Sequence, residues 1–266
     1  GIIPFFILYE KSSVNIYFLL RFLIFVNLWY NIENLYVGGI KMSDKNFIKE
    51  MNSEISKVIK YKKPCVIALS GYPGSGKTDI ARTLSKELGI FLLSNDYVRN
   101  YYYQFTTDYS EEKRLEIESK VSNINNLRLK ILLGTRTSFV YDRDFNLEKD
   151  FNRLDILLQI LRMKLVKIKV NSTDSHNLEK IKNMTMDYNK VYDGVIGDKV
   201  EYQSPFDDET YYQIKMRKPH MLPDNFYDFV INNDGSEHFE EQVKIMVKSL
   251  NDDYLVRRKW NLEEIS

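Results

Sequence analysis

The feature that most constrains this chain is an apolar strand that runs directly into a glycine-rich loop and then into a helix. Residues 64–81 read Pro-Cys-Val-Ile-Ala-Leu-Ser-Gly-Tyr-Pro-Gly-Ser-Gly-Lys-Thr-Asp-Ile-Ala. The loop fits the pattern Gly71-x4-Gly76-Lys77-Thr78, in which backbone N–H groups point inward and surround phosphate groups. The run before the loop is typical of a strand buried on both faces, and the apolar residues after it recur at helical spacing. The segment therefore predicts a phosphate-binding loop.

This loop predicts the residues that bind nucleotide and the role of each. The expected contacts to the phosphates of ATP are Gly71, Tyr72, Pro73, Gly74, Ser75, Gly76, Lys77 and Thr78. Lys77 can reach the β- and γ-phosphates, which makes it a candidate catalytic residue, and the Thr78 hydroxyl can take one coordination position on Mg²⁺. We therefore expect the chain to bind ATP with Mg²⁺, and the question becomes what happens to the γ-phosphate.

The overall composition indicates no particular macromolecular partner. The chain has 266 residues, of which 44% are hydrophobic, and a formal net charge of +1. Because no strong net field exists, neither nucleic acid nor a membrane surface is indicated, although a local basic patch would still allow nucleic acid to bind. The single cysteine, Cys65, cannot form an internal disulfide, and its position at the start of a buried strand predicts a packing role. Such cysteine usage suits a cytoplasmic location.

The first 41 residues differ from the rest of the chain in their apolar character. Residues 14–30 are at the lower length limit for crossing a bilayer, and Arg21 near their middle opposes insertion by about 2.5 to 3.5 kcal/mol. A membrane association is therefore not favoured. We expect the natural start to be Met42, so that residues 1–41 are upstream sequence or an atypical anchor.

After Met42, helical and extended patterns alternate along the chain. Residues 42–63 predict an accessory helix, and residues 64–266 are expected to form one α/β domain. Strands are predicted at 65–69, 90–93, 137–141, 165–170 and 228–231, and helices at 77–88, 95–103, 111–133, 147–163, 175–188 and 236–250. Strands alternating with helices at this spacing predict a three-layer fold, with a parallel sheet covered by helices on both faces. The aperiodic segment 189–225 is expected to be a lid.

A carboxylate and an arginine follow the second predicted strand. Asp96 and Arg99 lie in the sequence Ser-Asn-Asp-Tyr-Val-Arg at residues 94–99. In an open parallel sheet, ligands bind beyond the carboxyl ends of the strands, so Asp96 is expected to face the same crevice as the phosphates. Asp96 could accept a proton from an attacking hydroxyl, and Arg99 could bind an anionic acceptor or steady Asp96. The structural alternative is a helix cap with an i,i+3 salt bridge.

Further carboxylates follow the third and fifth predicted strands. A carboxylate in the position of Asp142 or Asp144 commonly holds Mg²⁺ through water or orients the nucleophile near a P-loop. Asp144 could instead cap the next helix, so Asp142 is the predicted metal ligand together with Thr78. Asp234 lies in the turn after the last strand, where the backbone could touch an adenine ring. Its spacing to Glu237 is also that of a capping box, which would leave the turn without a ligand.

Four segments taken in order resemble a known family. They are Gly71-Tyr-Pro-Gly-Ser-Gly-Lys-Thr78, Ser94-Asn-Asp-Tyr-Val-Arg99, Phe139-Val-Tyr-Asp142 and Asp228-Phe-Val-Ile-Asn-Asn-Asp-Gly-Ser236. Together they resemble the small P-loop kinases of the adenylate-kinase-like group. The nearest likeness is to predicted kinases related to the 5′-hydroxyl kinase domain of phage polynucleotide kinase, and zeta toxins are more distantly similar. The resemblance covers about residues 62–250.

The resemblance implies a P-loop NTPase fold and phosphoryl transfer from ATP to a hydroxyl. It places Asp96 at the family's general base and Arg99 at its acceptor-binding arginine. Family members usually carry lid arginines that reach the transferred phosphoryl. After the fourth predicted strand, this chain offers Lys180, Lys182 and Lys190, and no arginine until Arg217. Since a lysine lacks the planar fork of an arginine, either Arg217 folds back as a catalytic lid residue or transfer is slower than in the relatives.

Three functional interpretations follow from these patterns. The first is an ATP-dependent phosphotransferase that acts on a small-molecule, nucleoside or polynucleotide hydroxyl. The second is a nucleotide-dependent binding module in which ATP orders residues 189–225 and hydrolysis is incidental. The third is a zeta-toxin-like kinase of a nucleotide sugar. The fold cannot separate them, because P-loop sheets serve many functions.

Overall fold

The computed structural model shows strands and helices in regular alternation. It describes residues 61–103, 110–143, 147–184, 221–235 and 237–253, together with 49, 53–55, 57, 58, 145, 212 and 216. The elements are β1 (Cys65–Gly71), α1 (Lys77–Leu88), β2 (Phe91–Ser94), α2 (Asn95–Tyr103), α3 (Glu111–Gly134), β3 (Phe139–Asp142), α4 (Glu148–Ile160), β4 (Lys164–Ser172), α5 (Asp174–Met184), a 3-10 turn (Asp224–Phe226), β5 (Phe229–Asn233) and α6 (Glu237–Asp253).

The five strands form one parallel sheet in the order β2-β3-β1-β4-β5. The central strand β1 pairs with β3 on one side and β4 on the other, so the chain crosses over β1 between these two strands. In such sheets the crevice at the carboxyl end of the central strand is the usual ligand site. The predicted parallel α/β fold is confirmed.

Helices cover both faces of the sheet, as the burial of β1 requires. All seven residues of β1 are buried. Residues Cys65, Ile67 and Leu69 pack with the apolar sides of α1 and α6, whereas the alternate residues Val66 and Ala68 pack with those of α3 and α4. Each face thus has its own core, which confirms the predicted three layers.

Cys65 has the packing role that the sequence predicts. Its side chain is completely buried, and this burial raises the pKa of the thiol to about 12, against the smaller opposing effects of a hydrogen bond with Ser138 and the charge of Lys164. Because the thiolate is the reactive form of cysteine, this residue is chemically inert in the folded chain.

Within the described residues, the predicted elements are confirmed with small shifts at their ends. Helices α1 and α2 have the predicted bounds, and β4 continues beyond its apolar run because it pairs with both β1 and β5. Helical backbone is seen at the described positions 49, 53–55 and 57 of the predicted accessory helix. Residues 1–41 and most of the predicted lid 189–225 lie outside the described residues. In the part of the chain that the structure describes, no helix is both long and apolar enough to cross a membrane.

The segment that leads into β5 is held on the sheet beside β1 by polar contacts. The Lys169 ammonium group donates to the Leu222 carbonyl oxygen at 3.0 Å and to Asp224 Oδ1 at 2.7 Å. The Tyr227 hydroxyl donates to Ser70 Oγ at 3.1 Å, and Ser70 lies opposite Lys169 in the register of β1 and β4. These contacts fix residues 221–227 beside Ser70, near the carboxyl end of β1.

We expect Lys169→Met to loosen this segment. The substitution keeps an apolar stem but removes the donor to Leu222 and Asp224. Since the Asp224 side chain is 63% exposed and stays hydrated, the free energy of unfolding should fall by only about 1 to 2 kcal/mol. Urea denaturation followed by circular dichroism measures this loss, with the exposed Lys86→Met as control. Equal losses in both variants would show that the ion pair does not hold residues 221–227.

Candidate functional site

The loop between β1 and α1 has a backbone conformation that its glycines permit. Gly74 and Gly76 have φ angles of +77° and +92°, in the left-handed region that side chains rarely adopt. The Ser75 N–H donates to the Tyr72 carbonyl oxygen at 3.1 Å and closes a turn at the tip of the loop. Helix α1 then begins at Lys77, directly after the second of these glycines. The predicted strand, loop and helix are therefore all present.

Two neighbouring elements press against the outside of this loop. The backbone of Asn177 in α5 lies so close to Gly74 that an added Cβ would overlap its carbonyl oxygen. At the end of β5, Asn233 Nδ2 donates to the Ser75 carbonyl oxygen at 2.8 Å, and a Cβ at Gly76 would lie 2.5 Å from that nitrogen. Helix α5 and strand β5 thus hold the loop from behind.

The inner side of the loop carries polar groups that fit a phosphate chain. Lys77 Nζ donates to the carbonyl oxygens of Gly71 and Tyr72 at 2.8 and 2.9 Å, so the ammonium group lies across the loop. The buried Ser75 Oγ has no hydrogen-bond partner among the described atoms. A cation and an unused hydroxyl beside left-handed glycines are the groups that a phosphate anion would engage.

The two predicted metal ligands lie together at the start of α1. The Thr78 hydroxyl hydrogen-bonds the Asp142 carboxylate, and Ser94 Oγ lies 3.5 Å from Asp142 Oδ2. Burial, with the nearby negative charge of Asp96 as a second cause, raises the pKa of Asp142 to about 7. Lys77, the Thr78 hydrogen bond and Arg82 lower it, but less strongly. A buried carboxylate beside a second carboxylate favours a cation.

The arrangement fits Mg²⁺ better than a metal held by protein alone. Within the described ranges, no group of three or more His, Cys, Asp or Glu side chains is placed to hold a metal ion. Mg²⁺ commonly takes one or two protein oxygens and completes its shell with water and substrate phosphates. Thr78 and Asp142 would supply such a pair.

Asp96 and Arg99 stand in the first turns of α2 and form the i,i+3 ion pair. Arg99 also makes a contact that the sequence did not predict. Its Nε lies 2.6 Å from Glu118 Oε1 and its Nη2 lies 3.1 Å from Glu118 Oε2, a bidentate pair between α2 and α3. No spacing rule reveals this contact, because the two residues are far apart in sequence.

A buried arginine fixes the start of α2 from behind. Arg128 of α3 is fully buried, and its Nη1 donates to Asn125 Oδ1 at 2.9 Å and lies 3.5 Å from the Ser94 carbonyl oxygen. Asn125 in turn donates to Asn95 Oδ1 at 2.8 Å. Burial lowers the pKa of Arg128 to about 9, so the side chain still carries its charge at neutral pH. These links position the backbone that bears Asp96.

The remaining predicted residues have different outcomes. Lys180 of α5 reaches the loop, pairs with Asp79, and lies 3.2 Å from where a Cβ of Gly76 would be. Asp234 is exposed in the turn after β5. Asn233, the last residue of β5, contacts the P-loop, and the sequence did not identify it as a site residue. Asn233 ends a parallel strand, the same signal that identified Asp142. Arg217 lies outside the described residues.

A groove of about 760 Å³ lies elsewhere, between α1 and α6. Its lining includes Asp79, Thr83, Val243 and Lys248, but none of residues 71–78, Asp96 or Asp142. The candidate site is therefore assigned by the loop and its carboxylates rather than by cavity size.

Comparisons with known proteins agree on the fold. A family model described as an AAA domain matches residues 67–191, somewhat less than half of the chain. The structure of a candidate kinase from Chloroflexus aurantiacus is similar at 18% identity and a TM-score of 0.51, covering 72% of this chain and 98% of that one. No curated protein matches the sequence.

Two further solved structures are more distant. The APS kinase CysC of Mycobacterium tuberculosis, in complex with AMPPNP and APS, matches at 16% identity and a TM-score of 0.40, covering 71% of this chain and 98% of that one. Chaetomium thermophilum Kti12, in complex with ADP-AlF3, matches at 14% identity and a TM-score of 0.44, covering 72% and 100%. The shared P-loop NTPase-like fold rests on the family model and on the Chloroflexus aurantiacus structure. The finer likeness to phage polynucleotide kinase or to zeta toxins stays a prediction.

We expect Gly74→Ala to damage the loop through both its φ angle and its contact with Asn177. A left-handed alanine and an overlap with backbone together should cost about 2 to 4 kcal/mol of unfolding free energy. Thermal and urea unfolding measure the loss. The matched control is Gly235→Ala, which also has a positive φ of +82° but would meet only the His176 ring, at 3.3 Å. If the control loses as much stability, the overlap with the Asn177 backbone is not the cause.

We expect Asp142→Asn to stabilise the metal-free protein at alkaline pH. The carboxyl pKa rises from 3.8 to about 7 on folding, so the native state binds the proton more tightly and wild-type stability falls as pH rises through this window. Above pH 7 the ionised Asp142 carboxylate lowers the free energy of unfolding by at most about 4 kcal/mol. The uncharged amide side chain introduced in Asp142→Asn avoids this loss. In urea denaturation, the free energy of unfolding of the variant relative to that of the wild type should increase between pH 5 and 8.5. The exposed Asp252→Asn should not, and parallel curves for Asp142→Asn would contradict the burial effect.

Proposed function

We propose that the chain is a Mg²⁺-dependent P-loop kinase that transfers the γ-phosphate of ATP to a hydroxyl group of a small-molecule, nucleoside or polynucleotide acceptor. The observation that carries the proposal is the convergence of Lys77, Asp142 and Asp96: the carboxyl group of Asp142 lies close enough to the other two for both charges to shift its pKa. A cation for the phosphates, a ligand for the metal and a carboxylate for the acceptor thus share one end of the sheet.

In this proposal the loop residues 71–78 bind the triphosphate. Their backbone N–H groups and the Lys77 ammonium group would offset the phosphate charge, and the turn with Asp234 after β5 would contact the adenine base. Thr78 and Asp142 would hold Mg²⁺, which, when bound, draws negative charge from the phosphate oxygens. Lys180, and Arg217 from the predicted lid, are the candidates for a further cation.

Asp96 is proposed as the general base. Its side chain is 45% exposed at the mouth of the site, where an acceptor can reach it. The acceptor oxygen bonds to the γ-phosphorus, the bond from that phosphorus to the bridging oxygen breaks, and ADP leaves with the electron pair. The hydroxyl proton passes to the Asp96 carboxylate. Positioning and charge compensation supply most of the catalysis in such a reaction.

The alternative is a nucleotide-dependent binding module. The observation that favours it is the Asp96–Arg99 ion pair, since an i,i+3 pair is a common helix feature without chemistry. In that case ATP binding would not depend on an acceptor, and turnover would be incidental. A cytoplasmic location stays a prediction in either case.

We expect Asp96→Asn to reduce acceptor-dependent ADP release by about 10²- to 10⁴-fold, because the amide cannot take the hydroxyl proton. Binding of Mg²⁺-ATP, measured by calorimetry, should change little, whereas Lys77→Ala should weaken both binding and turnover. The acceptors to screen are nucleosides, 5′-hydroxyl oligonucleotides, sugars and nucleotide sugars. Lys86→Ala, a substitution at an exposed lysine, is the control and should leave binding and turnover unchanged. Wild-type turnover in Asp96→Asn would remove the general base and favour the binding module.

A further inference from the structure

We propose that Glu118 occupies the anion-binding edge of Arg99 and thereby selects acceptors that carry no negative charge beside the reacting hydroxyl. This inference rests on the proposed function and narrows it. It makes Glu118 a specificity-determining residue, and it favours nucleosides and unphosphorylated sugars over 5′-hydroxyl oligonucleotides and nucleotide sugars.

The first observation is the geometry at Arg99. A guanidinium group binds phosphate or carboxylate in a bidentate manner through two parallel N–H groups. In this chain the Nε and Nη2 edge is filled by the two Glu118 oxygens at 2.6 and 3.1 Å, and Nη1 pairs with Asp96. An acceptor phosphate would have to displace Glu118 to gain the same contact.

The second observation is that packing holds Glu118 in this place. Its neighbours Ile117 and Val121 are buried against Val98 of α2, in a small core that also includes Tyr97, Tyr101, Tyr102 and Ile124. The Asn125–Asn95 hydrogen bond ties the same two helices together one turn further along. The packing of α2 on α3 therefore holds the Arg99–Glu118 pair in place, whereas an ordinary surface ion pair has no such support.

The third observation is the combined charge of Asp96, Arg99 and Glu118. Arg99 contributes one positive charge, and Asp96 and Glu118 contribute two negative charges, so the three side chains carry a net charge of −1. Lys113 and Lys120 of α3 are paired with Glu116, which lies two residues before Glu118 and therefore on a different side of the helix. The side chains of Arg99 and Glu118 are 31% and 36% exposed, so an acceptor can reach them and sense this charge.

The experiment compares two matched substitutions on α3. Glu118→Gln removes the charge at Arg99, and Glu116→Gln removes the same charge two residues away. The paired acceptors are a nucleoside and its 3′-phosphate, and ribose and ribose 5-phosphate. We expect the ratio of kcat/KM for the phosphorylated over the unphosphorylated acceptor to rise about tenfold in Glu118→Gln, mainly through KM, and to stay unchanged in Glu116→Gln. A merely structural role for Glu118 would affect both acceptors equally and leave the ratio unchanged, which would overturn the inference.

A binding measurement keeps the inference testable without turnover. With the loop filled by Mg²⁺-AMPPNP, sulfate should bind Glu118→Gln at least tenfold more tightly than wild type, and this gain should be lost in Glu118→Gln combined with Arg99→Gln. Equal sulfate affinity in wild type and Glu118→Gln would overturn it. Failure of the proposed function looks different: either Mg²⁺-AMPPNP would not bind, or it would bind and no acceptor, phosphorylated or not, would stimulate ADP release from ATP. A wild-type preference for the phosphorylated acceptor would refute the inference and leave the kinase proposal intact.

Discussion

The site depends on close contacts at the loop glycines that leave no room for a side chain. A Cβ at Gly71 would lie 2.9 Å from the Val170 carbonyl oxygen of β4, one at Gly74 would overlap α5, and one at Gly76 would meet Asn233 of β5. Three separate elements therefore touch the loop, and its shape is set by the sheet and by α5. Because the loop is already shaped, a phosphate ligand does not have to order it, and more of the interaction energy is available for binding.

The same preorganisation produces an electrostatic cost at Asp142. A buried carboxylate near Asp96 is a poor choice for stability alone, since both burial and the like charge disfavour its ionised form. Carboxylates with raised pKa values concentrate at functional sites, where a cation or a proton relieves them. A metal ion bound by Thr78 and Asp142 would offset the cost of burying Asp142 beside Asp96. The unfavourable position of Asp142 therefore supports its assignment to a functional site.

The sequence predicts those features of the fold and the site that depend on residues close together in the chain. The P-loop, the bounds of α1 and the parallel sheet follow from glycine spacing and hydrophobic periodicity, and Asp142 follows from its place at a strand end. Asn177, Glu118 and Arg128 could not be identified from the sequence, because their roles depend on contacts between elements that are distant in sequence, whereas Asn233 carries the same strand-end signal as Asp142. Arg128 in particular resembles an ordinary surface residue of a helix, and only the packing of α3 on β2 and α2 buries it.

These contacts divide the support of the site between two parts of the fold. Helix α5 and strand β5 contact the P-loop through Asn177 and Asn233, whereas α3 supports the start of α2, the acceptor side in the proposed kinase, through Arg128, Asn125 and Glu118. The two sides meet at Asp142, which contacts Thr78 from the loop and Ser94 from the strand that leads to Asp96. Because α3 shares no residue with the phosphate-binding loop, the proposed kinase could change its acceptor preference through side chains of α3 without altering the groups proposed to bind the triphosphate.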